Sequence, residues 1–402
     1  MKAMSELVKK VLSRSVDKIY PSQEELEKVL LSGKKLRIYL GADPTGPHLH
    51  FGHLTNFLVL RRFQELGHEI IFLIGDFTAM IGDPTDKAAA RQPLTAEQIK
   101  ENLKTFKKQV GKILKFTGSN AAKIKFNSKW LAKMSLKDVI GLASHFTIQQ
   151  MIQRNMFQER LKADKPIGFH EFLYPLMQGY DSVAMDVDME IGGSDQTFNM
   201  LVGRDLVKIY KNKEKFVLTT KLLENPKTGK KLMNKSEGGL INLDDSPEDV
   251  FGKIMAIDDA AIFALAEYST EMPLDKIEDL KTKVADGGNP RDAKLEIAFS
   301  AVEMLFGAVK AEKSKQRFLS VFSKHEKPSE MPVKKLEIRN WKLADLLIEV
   351  GMASSKGEAR RLIEQGAVKI NDAKKTDSNE VIEIKGEILL QVGKRNFLKI
   401  YV

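Results

Sequence analysis

Two short blocks hold the side chains best suited to handling a polyphosphate: Asp43-Pro-Thr-Gly-Pro-His-Leu-His-Phe-Gly-His53 and Lys230-Lys-Leu-Met-Asn-Lys-Ser-Glu-Gly-Gly239. The first follows an apolar run, Leu36 to Leu40, and opens an amphipathic stretch that Gly67 ends. This reads as a strand, a tight Gly/Pro turn and a helix N-terminus carrying His50, Gly52 and His53. Unpaired N–H groups and the positive end of the helix dipole attract anions at such a place. The glycine between the histidines lets a flat base approach the backbone. The second block is a lysine-rich loop flanked by glycines, suited to bringing ammonium groups onto transferring phosphates. Together the two blocks point to ATP, and to adenylyl transfer in particular.

The elements that must position these blocks follow from hydrophobic period. Leu36–Leu40 and Ile70–Ile74 are strand-like, separated by a helix-period segment from Leu54 to Leu66, so a βαβ unit with a parallel sheet is predicted. The turn Gly75 to Pro84 leaves the second strand. Loops at the carboxyl ends of parallel strands converge on one crevice, so Asp43 and Asp83 are expected to meet there. Residues 95 to about 164 read as helical and lysine-rich. Phe172 to Val183 reads as a helix with Tyr174, Gln178 and Asp181 at i, i+4 and i+7, on one face. A glycine turn, Gly192 to Gln196, leads into a helix from Asn199 to Tyr210. Val250 to about Phe322 is helical in pattern, and Ser323 to Lys335 is the linker candidate. Beyond it, Leu336 to Val402 reads as a small α+β module. Its second helix starts with the Ser355/Glu358 capping pattern and exposes Lys356, Arg360 and Arg361. Short strands follow at Val368–Ile370, Val381–Ile384, Ile388–Val392 and Leu398–Val402.

Composition bounds the partners. The chain has 402 residues, 43% of them hydrophobic, and only 13 prolines, so it is globular with more than one domain. Its net charge of +10 is unevenly spread. Lys100 to Lys137 holds eleven lysines and one acid, and Lys211 to Lys235 holds eight lysines and two acids. Such local excess suits nucleic acid or another polyphosphate. No cysteine is present, which excludes disulfides and thiolate metal sites and favours a reducing compartment. Met1 to Lys10 lacks a signal-peptide core and no apolar run approaches bilayer length, so a cytoplasmic protein away from membranes is expected.

The chain resembles tyrosyl-tRNA synthetases of bacterial type, class I aminoacyl-tRNA synthetases, over essentially its whole length. The class I signature pair is matched by His50-Phe-Gly-His53 and, less faithfully, by Leu232-Met-Asn-Lys-Ser236, where leucine and asparagine replace the usual first lysine and central serine. Lys230 and Lys231 lie just upstream and could supply that charge. The tyrosyl branch is matched by Tyr39-x-Gly-x-Asp-Pro-Thr45, Gly82-Asp-Pro84, Tyr174-x-x-x-Gln-x-x-Asp181 and Gly192-Gly-Ser-Asp-Gln-x-x-Asn199. The last module is similar to the S4 RNA-binding domain.

The resemblance implies a Rossmann-like catalytic domain over 1–245 with a helical arm and insertion, an α-helical anticodon-recognition domain over 246–330, and an S4-like domain over 336–402. It implies that Tyr39 and Asp181 read a substrate phenol, that Asp83, Tyr174 and Gln178 hold its α-ammonium, and that Gln196 lines the pocket. Gly41, Asp43, Thr45, Gly52, Gly193 and Asp195 would bind ATP or position the reactants. His50 and His53 would contact phosphate and adenosine. Lys235 and Ser236 would close over pyrophosphate, with Lys87 and Arg91 on a loop nearby. Lys356, Arg360 and Arg361 would meet tRNA phosphates. ATP is then a substrate, Mg²⁺ is expected with it and no dedicated metal ligands are expected. The partners are L-tyrosine and tRNA(Tyr). A homodimer would form through Phe146 to Phe169, including Gln149, Met151 and Phe157, although the Met and Phe side chains of this segment fit an intramolecular core equally well. A tryptophanyl-type enzyme, another nucleotidyltransferase or a catalytically inactive RNA-binding relative remain as alternatives.

Overall fold

The structure is a computed structural model that describes residues 2–84, 94–233, 239–323, 331–336, 340–384, 386–393 and 396–401. The chain divides into two compact units, residues 1–315 and 316–402.

The apolar runs become the middle of a six-stranded sheet. Its strands are β1 (Val16–Tyr20), β2 (Arg37–Ala42), β3 (Glu69–Ile74), β4 (Lys123–Phe126), β5 (Met189–Gly193) and β6 (Phe216–Thr220), in the order β1-β6-β5-β2-β3-β4. All neighbours are parallel except β1, which runs antiparallel along the edge of β6. Helices cover the middle of such a sheet on both faces, so its central strands β2 and β3 read as apolar runs instead of alternating. Every residue of β5 and β6 is buried. β4 lies inside the lysine-rich stretch expected to be helical. It is a four-residue strand on the open edge of β3, too short for its period to register, and pairing with Ile71–Ile74 overrides local propensity.

Order along the sheet fixes where a ligand can sit. From β2 the chain steps outward to β3 and β4, then returns to the other side of β2 for β5 and β6. The crevice at the carboxyl ends of β2 and β5 is therefore the topological switch point. The helices Tyr174–Met185 and Thr197–Lys211 border it and cross at Gly179 and Gly203. A Cβ on Gly203 would lie 3.3 Å from the Gly179 Cα, so only glycine admits this approach.

The helices from Pro247 to Phe306 fall within the first unit. Arg14, 2% exposed, donates to the carbonyl oxygens of Glu267 at 3.2 Å and Thr270 at 2.7 Å. Arg62 pairs with Glu271 at 3.0 Å. Arg14, which donates to carbonyls at the C-terminal end of the Ile262–Ser269 helix, and Arg62, paired with Glu271 just beyond it, tie that segment to the sheet layer.

The second unit has its own core, with Trp341, Leu346, Leu347, Ile363, Val368, Leu390 and Ile400 at its centre. Ser355 caps the Lys356–Glu364 helix, its hydroxyl accepting from the Glu358 N–H at 3.2 Å as the capping pattern predicts. The linker stretch ends in a strand, Val333–Lys335, that pairs in parallel with Asn396–Tyr401. The rest of that linker, 324–330, lies outside the described residues.

Candidate active site

Tyr39 stands on β2 with Ile71 and Glu190 as its neighbours in register on β3 and β5. Its ring is fully buried, and its hydroxyl lies 2.9 Å from the Ser182 Oγ. Burial, then the carboxylates of Glu190 and Asp181, push its ionisation well above the ordinary range, so the phenol is neutral. Asp181 sits on the Tyr174–Met185 helix, its Oδ1 accepting from Trp130 Nε1 at 2.7 Å and its Oδ2 from Asn127 Nδ2 at 3.2 Å. Burial raises the Asp181 carboxyl well above its usual range, and those two donors oppose the rise. Trp130 and Asn127 were not among the expected site residues. They follow β4, and without that strand nothing in the sequence carries them to the crevice.

Asp43 and Asp83 do converge, on Tyr174. Asp43 accepts from the Tyr174 hydroxyl at 2.8 Å and from Thr78 Oγ1 at 2.7 Å. Burial and then Asp43 raise the Tyr174 phenol well above its ordinary range, with Asp83 adding to the same effect. Gly75 makes this possible: a Cβ there would fall 1.9 Å from Asp43 Oδ1 and 2.4 Å from Thr78 Oγ1. Asp83 accepts from Gln196 Nε2 at 2.7 Å, and Arg154 stands 4.0 Å away. Asn199 then donates to Gln196 Oε1 at 3.0 Å and to Gln178 Oε1 at 2.9 Å. Gln178 in turn donates to Glu190 at 3.0 Å. Asp43, Asp83, Asp181 and Glu190 thus line one crevice, and among the described residues Arg154, Lys215 and Lys231 are cations that act on these carboxylates. Such a pocket favours an ammonium group.

The histidines cap the helix Phe51–Glu65. His50 Nδ1 accepts from the Gly52 N–H at 3.2 Å, and His53 Nδ1 accepts from the His50 N–H at 3.2 Å. An accepting Nδ1 leaves the ring hydrogen on Nε2, so each imidazole presents one N–H outward. Burial lowers His53 to about 4, which keeps it neutral at pH 7 although an edge of the residue reaches the surface. A Cβ on Gly52 would lie 3.0 Å from the His50 ring and 3.5 Å from the Met233 Cβ, so glycine is required where that ring folds back.

Met233 lies within the second block, just before its lysine–serine pair, and backbone pairing holds the residues after the block: Phe51 N donates to Ile241 O at 3.0 Å and Leu243 N to Leu49 O at 2.7 Å. Both flanks of the lysine loop therefore meet the histidine motif. Lys235 and Ser236 themselves lie outside the described residues, as do Lys87 and Arg91. Lys231 Nζ is 2.9 Å from Asp195 Oδ2. Burial first, then Asp83, raise the Asp195 carboxyl to about 6, and hydrogen bonds from the backbone N–H groups of Asp195 and Gln196 work against that rise. A Cβ on Gly193 would meet Asp195 Oδ1 at 2.5 Å. Gly41 and Thr45 are exposed on either side of Asp43.

In the second unit, Lys356, Arg360 and Arg361 are exposed, and Lys356 pairs with Asp345 at 3.0 Å. Of the two places open to the Met and Phe side chains of 146–169, Met151 and Phe157 take the core: Met151 packs with Leu176 and Val202, and the Phe157 ring lies 4.8 Å from that of Phe172. Gln149 is exposed there. Large apolar side chains left exposed in and just before this segment are Leu136, Ile140, Ile148, Leu161 and Phe169.

A parallel sheet whose switch point gathers histidine, aspartate and glycine-turn residues matches a known class. The chain belongs to the family described as tRNA synthetases class I (W and Y), whose model matches residues 31–323. Residues 324–400 match the Tyrosine--tRNA ligase SYY-like C-terminal domain. The chain is 42% identical to Tyrosine--tRNA ligase 2 of Vibrio parahaemolyticus, over 97% of both proteins. It is 44% identical to Tyrosine--tRNA ligase of Geobacter metallireducens, over 94% of both. The fold is also that of a C-terminally truncated mitochondrial tyrosyl-tRNA synthetase of Aspergillus nidulans, with a TM-score of 0.66, 22% identity and coverage of 80% of this chain and 99% of that one.

Proposed function

We infer that the protein is an enzyme that activates L-tyrosine with ATP and transfers it to the 3′ end of tRNA(Tyr). The observation that carries this reading is the crevice at the switch point, where Tyr39, Asp181, Asp43 and Tyr174 lie beside the capped histidine helix. The tyrosine carboxylate attacks the α-phosphorus in line, a C–O–P linkage forms, and the bond to the β-phosphate oxygen breaks to release pyrophosphate. No catalytic base is needed, because the nucleophile is already ionised. The protein has to align the reactants and stabilise charge on the phosphate. The Nε2–H groups of His50 and His53 are neutral, fixed donors suited to that task. Lys235 and Ser236 carry the pyrophosphate side in this proposal, with Lys87 and Arg91 nearby. Asp83, Tyr174 and Gln178 receive the α-ammonium, Gln196 lines the pocket beside it, and Tyr39 and Asp181 read the phenol. Gly41, Asp43, Thr45, Gly52, Gly193 and Asp195 border the nucleotide. Mg²⁺ accompanies ATP as part of the substrate; among the described residues no group of three or more His, Asp or Glu side chains is placed to hold a metal ion.

Tyr39 and Asp181 together suit a phenol better than an indole, which disfavours the tryptophanyl reading. The polar network around Asp43, Asp83 and Gln196 disfavours an inactive relative. In the second unit, Lys356, Arg360 and Arg361 contact tRNA phosphates. Two copies associate through the face bearing Ile148 and Phe169. No helix among the described residues is long and apolar enough to cross a membrane, and cytoplasmic residence belongs to this proposal. Pyrophosphate exchange into ATP tests the activity: it should depend on tyrosine and be far slower with phenylalanine or tryptophan. Exchange driven equally by tryptophan would overturn the assignment.

A further inference from the structure

Behind Tyr39 lies a buried ionic group that the chemistry above does not use. Lys215, Glu190, Ser182 and Tyr39 are each 2% exposed or less. The Lys215 ammonium reaches into the crossing of the two helices, where a Cβ on Gly203 would fall 2.6 Å from its Nζ. Three oxygens surround that nitrogen: a Glu190 carboxylate oxygen, Ser182 Oγ at 2.8 Å and the Met200 carbonyl at 3.2 Å. The carboxylate and the carbonyl can only accept, and the ion pair with Glu190 favours an ammonium, whose third N–H goes to the Ser182 oxygen. Tyr39 and Glu190 are neighbours in register, so both point to the same side of the sheet.

The direction of the next hydrogen bond then follows. Ser182 Oγ accepts from Lys215, and its own hydrogen has two possible acceptors: Tyr39 Oη at 2.9 Å and Glu190 Oε2 at 3.5 Å. The shorter contact has the better geometry for an O–H donor. A Ser182 that gives its hydrogen to this nearer acceptor turns the Tyr39 hydrogen away from itself, and the Glu190 carboxylate, the other acceptor acting on Tyr39, already accepts from Lys215 on one oxygen and from Gln178 on the other. Each Asp181 oxygen has accepted one hydrogen bond and keeps a lone pair.

We propose that Lys215 and Ser182 form a buried positioning relay that orients the Tyr39 hydroxyl as a donor, so that it donates to the phenolic oxygen of the amino-acid substrate while that phenol donates to Asp181. The proposal rests on the reading of Tyr39 and Asp181 as the phenol-binding pair. It makes Lys215 and Ser182 determinants of specificity without contact to the substrate. Phenylalanine would leave the aimed hydroxyl unpaired, which is the condition under which a polar site rejects an analogue.

The test is a double-mutant cycle on Tyr39→Phe and Ser182→Ala in the full chain, reading kcat/KM for activation of tyrosine and of phenylalanine. Ser182→Ala should lower the tyrosine value about tenfold, the loss of one neutral hydrogen bond, and leave phenylalanine unchanged. In the Tyr39→Phe background the same change should have no further effect on the ratio. Lys215→Met combined with Glu190→Leu, which removes the ion pair without stranding one charge, should shift the ratio in the same direction. Equal loss for both amino acids, or additive effects of the two single changes, would overturn the relay. If Tyr39→Phe alone leaves the ratio unaltered, the phenol-binding role of Tyr39 is what fails.

Discussion

His53 is the residue on which the histidine motif depends for its charge state. Its Nδ1 accepts the His50 N–H, and burial holds its protonation near 4 against an ordinary value of 6.5. A neutral imidazole offers the reaction a fixed donor without a competing proton equilibrium at pH 7. The same shift has a consequence for stability. Between pH 6.5 and 4 the unfolded chain binds a proton at this histidine and the folded chain does not, so stability falls as pH falls through that window. The loss amounts to roughly 3 kcal/mol once pH is below the folded value. Asp195 acts with the opposite sign, because its folded value of about 6 exceeds its ordinary 3.8 and it favours the folded chain as pH falls. Comparing the parent with His53→Gln isolates the histidine. Urea denaturation at pH 7 and pH 4.5 should show a smaller loss on acidification in the variant, and an identical loss in both would refute this account of His53.

Among the elements, the crossing of Tyr174–Met185 with Thr197–Lys211 is the most constrained. Gly203 has no room for a Cβ, with Lys215 Nζ at 2.6 Å, Ser182 Oγ at 3.0 Å and the Gly179 Cα at 3.3 Å. The lysine cannot swing aside, because all three of its N–H bonds are held. Gly203→Ala should therefore cost about 1–3 kcal/mol, the usual penalty for overpacking. Gly252, within the helix Pro247–Met255, has nothing within 4 Å of a Cβ position. Gly252→Ala should stabilise the chain by roughly 0.5–1 kcal/mol, because it removes only backbone freedom. Urea midpoints for the two variants should move in opposite directions, and a tolerated Gly203→Ala would mean the crossing is looser than its distances require.

For the whole molecule, the exposed apolar side chains set the expectation for assembly. Leu136, Ile140, Ile148 and Phe169 are 75%, 60%, 70% and 77% exposed, too much large apolar surface within residues 136–169 to be left in water without a partner. A symmetric pair of chains would cover it. Sedimentation should give a dimer at micromolar concentration for the parent chain and a monomer for the combined Ile148→Asp and Phe169→Asp variant. A parent chain that sediments as a monomer would dismiss this surface as a dimer face.

Local pattern was enough for the elements whose signal is continuous. The runs around Leu40 and Ile74 are strands because a parallel sheet buried on both faces needs unbroken apolar residues, and the glycine–proline turn before His50 dictates a helix start. The Ser355 cap and most of the terminal strands were legible for the same reason: each is set by neighbours in the chain. Contacts between distant segments were not legible. β4 exists because β3 had an open edge, and only that pairing delivers Asn127 and Trp130 to Asp181. The inward position of Met151 and Phe157 depends on helices that pack over them. The joining of 247–315 to the sheet layer depends on Arg14 and Arg62. Sequence alone determined the chemistry available, in the histidine pair, the glycine turns and the tyrosine–aspartate set. Tertiary structure decided how those groups are held, since a hydrogen-bond direction or a buried charge depends on atoms brought together from remote parts of the chain.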